Sequence, residues 1–202
     1  ICGPDAGHTE SCCYVFRAKE VPGLESVIRS QLSPKAMGGV DVVGGGPSAK
    51  PVHGRPLMVD GRARVASVYA TQAWTAELHW EPAGLSSKER SQLARRWQQA
   101  AQYEHASVAS FARFVMDLMA LGAPPELLLA ATTAQADEVR HARDCFSVAS
   151  CFAGRAVGPG IVDLDGVVHT EVTPERVLVE TIADACINET LAAAEAAWLS
   201  SR

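Results

Sequence analysis

The chain has 202 residues, of which 48% are hydrophobic and 20% charged, and its formal net charge is -5 at pH 7. With a mean hydropathy near zero, this balance is typical of a soluble globular protein and excludes a disordered or membrane-embedded chain. No stretch approaches the ~18 uninterrupted apolar residues of a membrane span. The acidic charge argues against nucleic acid as a partner, because phosphate binding usually needs a concentrated basic face.

Residues 1–84 form the first predicted region, which holds most of the glycines and prolines and shows no catalytic pattern. One β-hairpin is predicted at residues 57–69, with a first strand to Val59, a turn at Asp60-Gly61 and a second strand from Ala63. An Asp-Gly pair tolerates the positive φ angles that tight hairpins need.

The chain has six cysteines, which do not form a paired C-x-x-C zinc pattern. Cys2, Cys12 and Cys13 crowd the amino terminus, which favours an exported or cell-envelope protein with disulfides. The cysteines after residue 85 are predicted to be small buried apolar residues.

Residues 85–202 are predicted to be a helical bundle, so the fold class is mainly α with a small irregular or β extension. The predicted helices cover about residues 87–121, 124–153 and 173–199. Ser86 offers an N-cap, Gly122 a helix stop, and Thr173-Pro174 an N-cap followed by a first-turn proline. The basic cluster from Lys88 to Arg96 is interpreted as a solvated helix start.

Each predicted helix has an apolar seam with a period of about 3.5 residues, and each seam is interrupted only by metal-ligand types. The interruptions are Glu104 in the first helix, Glu138 and His141 in the second, and Glu189 in the third. The apolar seam positions are Trp97, Ala101, Val108, Phe111, Val115 and Leu118; Leu127, Ala131, Ala134, Cys145, Val148 and Phe152; and Leu178, Ile182, Ala185, Ala192, Ala196 and Leu199.

The four interruptions are also predicted to lie at similar levels along their helices. Glu104 lies 18 residues before Gly122, whereas Glu138 and His141 lie 16 and 19 residues after it. At about 1.5 Å per residue, a helical hairpin centred on Gly122 brings them to within one turn of the same level. Glu189 is likewise predicted in the middle of its helix.

A buried ionised carboxylate costs several kcal/mol unless a partner neutralises it, and no Lys or Arg lies on these seams. A bound cation supplies that charge. Carboxylate oxygen with imidazole nitrogen suits iron, or alternatively manganese, and Glu-x-x-His places both groups on one helix face.

Three segments resemble the ferritin-like superfamily of rubrerythrin- and ferritin-type di-iron carboxylate bundles: EHASVASFARF from Glu104, DEVRHARDCF from Asp137 and NETLAAAEAAW from Asn188. The resemblance covers about residues 85–202. It implies a four-helix bundle in which Glu104 is a terminal ligand, Glu138 a bridging ligand beside His141, and Glu189 the third-helix carboxylate of a di-iron centre.

The family pattern has a second Glu-x-x-His on a fourth helix, and this sequence contains none. We expect the chain to be a fragment that lost this helix; the alternatives are that another chain supplies it or that the site is incomplete.

Three functions follow from the resemblance. The first is an oxidoreductase that activates dioxygen or peroxide at the di-iron centre. The second is an iron-binding or storage protein without a separate substrate, although the 84-residue extension makes a closed cage less natural. A homodimer is among the expected assemblies. The third is a structural bundle with a degenerate metal site.

Three further residues lie near the predicted ligands. His105 follows Glu104 and is predicted on the surface, Asp184 is predicted on a solvated face beside the seam of Glu189, and Gln135 lies one turn before Glu138, within reach of a ligand.

Overall fold

The computed structural model describes residues 55–76, 84–188 and 190. The chain has two compact units: one spans residues 53–172, and the described part of the other comprises residues 173–188 and 190. The described residues are mainly helical with two small sheets. No helix among them combines the length and apolarity needed to cross a membrane.

Two long helices, α1 (Ser87–Ala120) and α2 (Pro125–Ala153), form a hairpin in the first unit. The α1 helix begins with a capping box, in which the Glu89 amide donates to Ser86 Oγ and the Ser86 amide donates to the Glu89 carboxylate. After its last residue, Ala120, the φ of +68° at Gly122 turns the chain so that the amides of residues 122 and 123 donate to α1 carbonyls. Both helix ranges agree with the prediction to within one residue.

A short hairpin pairs β1 (Met58–Val59) with β2 (Arg62–Ala63). Its turn residues Asp60 and Gly61 have φ angles of +51° and +71°, as a two-residue turn of this type needs. The predicted second strand from Ala63 to Tyr69 is not continuous.

A separate strand, β3 (Val68–Ala70), pairs antiparallel with β4 (Val157–Pro159), which the sequence did not predict. Next to this pairing, a Cβ at Gly158 would lie 2.6 Å from the methyl carbon of Thr71, the residue after β3. A larger residue at position 158 would therefore force the Thr71 side chain to shift.

Two apolar clusters join these elements to the helices. Leu57 and Val59 pack with Ala106 of α1 and with Val167, while Ala101, Phe146 and Ala149 pack with Val157. Described residues before and after position 84 therefore pack in the same two apolar clusters, within one compact unit.

The most buried faces of the two helices differ from the predicted seams. On α1, Ala101 and Leu118 are buried as predicted, but Trp97 is exposed, and another buried face carries polar residues. Segments 55–70 and 157–169 pack against α1 and cover faces that helix periodicity alone does not identify. The buried polar residues of α1 are Ser107, Ser110, Arg113 and Asp117.

In the second unit, α3 (Pro174–Glu180) begins at the predicted cap, where the Arg176 amide donates to Thr173 Oγ1. It continues as a π-helix over Thr181–Asn188. The predicted seam is confirmed in part: Ile182 is buried, but Leu178 is exposed, and Val177 and Ala183 outside the seam are buried. The wider π turn changes which residues share a face.

Candidate metal-binding site

Glu104 of α1 and Glu138 and His141 of α2 come together between the two helices. Each offers a ligand atom, and these atoms all lie within 4.8 Å of one another. His141 Nδ1 is 3.7 Å from Glu104 Oε2 and 3.9 Å from Glu138 Oε2. We name these three residues the carboxylate cluster.

The helical hairpin determines this geometry. Glu138 and His141 are three residues apart and therefore neighbours on one face of α2. One turn earlier, Gln135 Nε2 donates a hydrogen bond to the Val108 carbonyl of α1, with an N–O distance of 3.0 Å. This bond between the helices fixes the level of Glu138 against that of Glu104.

The carboxylates are deeper than the imidazole. The side chains of Glu104 and Glu138 are 20% and 12% exposed, whereas that of His141 is 58% exposed. The sequence placed His141 in the buried seam, and this detail is wrong: it lies at the rim of the cluster. A ligand set with buried acids and an outer imidazole leaves a path for a cation to enter from solvent.

The two acids strongly favour the protonated form of His141. Glu138, through its direct interaction and its negative charge, is the main cause that raises the pKa of His141 to about 9; partial burial opposes it, and the charges of Glu104 and Asp137 add to it. At 3.9 Å the contact with Glu138 is an ion pair rather than a tight hydrogen bond. Even with this proton, the cluster holds two acids for one base.

Cys145 lies one helical turn after His141. Burial is the first cause that raises the pKa of its thiol to about 12, and the charges of Glu104 and Asp144 raise it further. The side chain packs against the cluster of Ala101 and Phe146. Cys145 is therefore a neutral thiol beside the carboxylate cluster, while Cys145, Cys151 and Cys186 are all half-buried and not in disulfides.

Glu189, the predicted third-helix ligand, lies outside the described residues, as do Cys2, Cys12 and Cys13. The neighbouring Asp184 is half-buried within the π-helix and is not fully solvated as predicted. The structure thus brings together three of the four predicted ligands.

His105 is not the surface residue that the sequence suggested. Its ring stands edge-on against Trp74, with a centroid distance of 5.0 Å, and burial lowers its pKa. Its Nδ1 atom is buried and has no hydrogen-bond partner among the described residues. Trp74 also contacts Phe146 of α2, and the Ala76 amide donates to Ser147 Oγ, so this segment crosses both helices beside the carboxylate cluster.

A second acid–imidazole pair was missed by the sequence reasoning. His169 Nδ1 lies 3.0 Å from Asp117 Oδ2, and both side chains are less than a tenth exposed. One turn away, Arg113 donates to the Met58 carbonyl over 2.8 Å. In the sequence, only the i,i+4 spacing of Arg113 and Asp117 marked this part of α1. Nothing near His169 indicated that Asp117 is its partner.

Comparison with protein-family models, with curated proteins and with solved structures finds no match for this chain.

Proposed function

We propose that this chain is a ferritin-like di-iron carboxylate protein, in which Glu104, Glu138, His141 and Glu189 hold iron and which acts as an oxidoreductase on dioxygen or peroxide. The observation that carries the proposal is the meeting of Glu104, Glu138 and His141 ligand atoms within 4.8 Å across two helices. The resemblance of their surrounding segments to ferritin-like proteins supplies the choice of iron.

The donor set fits a divalent first-row metal. Two largely buried carboxylates and one imidazole offer the mixed oxygen and nitrogen ligands that iron and manganese accept. Cys145, whose thiol pKa is raised first by burial, lies one turn after His141 and is not among the proposed ligands.

Each residue has a distinct task. Glu138 lies deepest and faces Glu104, so these two carboxylates neutralise the cation. His141 supplies the nitrogen ligand from the rim and must first release its proton to solvent. When bound, ferrous iron supplies the electrons that reduce dioxygen or peroxide.

The test is anaerobic loading of the full chain with ferrous iron, followed by measurement of iron per chain and of dioxygen uptake. We expect saturable iron binding, and the number of irons per chain shows whether these ligands hold the metal pair of the family pattern or a single ion. Glu138→Gln should abolish both binding and uptake. Glu126→Gln, which changes an exposed acid in the first turn of the same helix, should leave both unchanged.

Two results would separate binding from chemistry. Wild-type protein that binds no iron overturns the whole proposal. Protein that binds iron at the cluster but consumes dioxygen no faster than free ferrous ion retains the metal site and refutes the oxidoreductase.

A further inference from the structure

An open cleft lies where α1 begins and α2 ends, at the opposite end of the hairpin from Gly122. Its volume is about 480 Å³, within the range of sites for small organic molecules. Glu104 lies nine residues beyond Arg95, the last α1 residue that lines the cleft, which is about 14 Å along the helix. The cleft is therefore separate from the carboxylate cluster. It is lined by Ser87, Arg90, Ser91, Ala94, Arg95, Phe152, Ala153 and Arg155.

Three arginines from two parts of the chain converge on this cleft. Arg90 and Arg95 belong to the basic cluster that the sequence indicated as a solvated helix start, and Arg155 follows the end of α2. Gly154, with a φ of +65°, reverses the chain there and directs Arg155 back toward α1. The fold thus makes one basic site from residues distant in sequence.

Among the described residues that line the cleft, none is a carboxylate. The nearest acid in sequence, Glu89, accepts from the Ser86 hydroxyl and amide over 2.6 and 2.8 Å, and these bonds lower its pKa. Within the described ranges neither Arg95 nor Arg155 forms an ion pair. An anion between Arg95 and Arg155 would therefore reduce the repulsion between these two like charges.

We propose that this cleft binds a small organic phosphate. Guanidinium groups match phosphate oxygens with paired hydrogen bonds, and the Ser87 and Ser91 hydroxyls are further donors. The side chains of Ala94, Phe152 and Ala153 give the cleft an apolar part for the organic portion of the ligand. The Glu89 amide at the start of α1 already donates to Ser86 in the capping box. The phosphate is therefore recognised by the side chains that line the cleft.

The experiment is a calorimetric titration of the full chain with phenyl phosphate at constant ionic strength, with inorganic phosphate, benzoate and citrate titrated in parallel. We expect saturable binding of phenyl phosphate, weaker binding of inorganic phosphate and none of benzoate. Arg95→Gln and Arg155→Gln should each weaken phenyl phosphate binding about tenfold or more, because each removes charge-assisted hydrogen bonds. The control is Arg96→Gln, which changes an exposed arginine of the same basic cluster outside the cleft.

The outcomes are separable. Tighter binding of citrate than of phenyl phosphate would overturn the phosphate assignment and indicate a polycarboxylate. An equal loss in Arg96→Gln and Arg95→Gln would show a general charge effect and overturn the site. The absence of saturable binding of all four compounds, with helical content intact by circular dichroism, would overturn the proposal entirely.

Discussion

Two groups on α1 combine carboxylates with an imidazole, about 20 Å apart along the helix, and they differ in contact distance and burial. The carboxylate cluster has two acids at 3.7 and 3.9 Å from one half-exposed histidine, while Asp117 and His169 are in direct contact and their side chains are less than a tenth exposed. The first has an excess of negative charge and access to solvent. The second is closed to solvent.

This difference separates a place for a cation from an internal tie. Asp117 and His169 contact one another over 3.0 Å and attach the segment after β4 to the carboxyl-terminal part of α1. Glu104 and Glu138 lie 3.7 and 3.9 Å from a single imidazole nitrogen that cannot balance both. We therefore expect mutations in the pair to affect folding and mutations in the cluster to affect metal binding.

The largest effect on stability is expected from Asp117→Ala. It removes the carboxylate partner of a buried imidazole and should lower the free energy of unfolding by about 2–4 kcal/mol. Asp117→Asn keeps an acceptor oxygen and should cost less. Urea unfolding of the metal-free protein measures both changes. If Asp117→Ala changed stability by less than ~0.5 kcal/mol, the pair would not be a structural tie.

The metal affinity of the carboxylate cluster should depend on pH, because His141 must lose its proton to bind the metal. The metal needs the neutral imidazole, and the metal-free protein holds the proton up to a pKa of about 9. Affinity for manganese(II) should therefore rise about tenfold per pH unit from near 6.5 toward 9, with one proton released per metal. Titrations at three pH values with proton-release measurements test this, and His141→Gln should remove most of the slope. A wild-type affinity independent of pH would exclude His141 as a ligand.

The features that the sequence predicted are those set by local chemistry. The ends of α1 and α2 follow from Ser86, Gly122 and Gly154, and the hairpin turn follows from Asp60-Gly61. The approach of Glu104 to Glu138 could be predicted from the helical hairpin and from the number of residues on each side of its turn.

The features that were missed depend on distant contacts. Strand β3 pairs with β4 across nearly 90 residues, and His169 finds Asp117 across 52. The faces of α1 that are buried depend on which segments pack there, so periodicity alone misjudged Trp97. The π-helix at Thr181–Asn188 likewise has no composition signal, because it differs from an α-helix only in its hydrogen-bond pattern.

Glu104→Gln offers a direct contrast with Asp117→Ala. In the metal-free protein it removes one of two neighbouring negative charges while it keeps the shape and hydrogen-bonding atoms of the side chain. We expect the free energy of unfolding to change by less than about 1 kcal/mol, because the remaining carboxylate still pairs with a half-exposed imidazole. Urea unfolding in the presence of a chelator measures the change. A loss above ~2 kcal/mol would make the cluster a structural tie like the buried pair.

The smallest effect is expected at Cys145. Burial and then the charge of Glu104 raise its thiol pKa to about 12, so alkylation at pH 8 should be slow. Glu104→Gln removes part of that charge and should speed alkylation of Cys145 several-fold, as followed by mass spectrometry of the labelled peptide. Glu126→Gln on the same helix as Cys145 serves as the control and should leave the rate unchanged. An unchanged rate in Glu104→Gln would show that the charge of Glu104 does not affect the reactivity of the thiol.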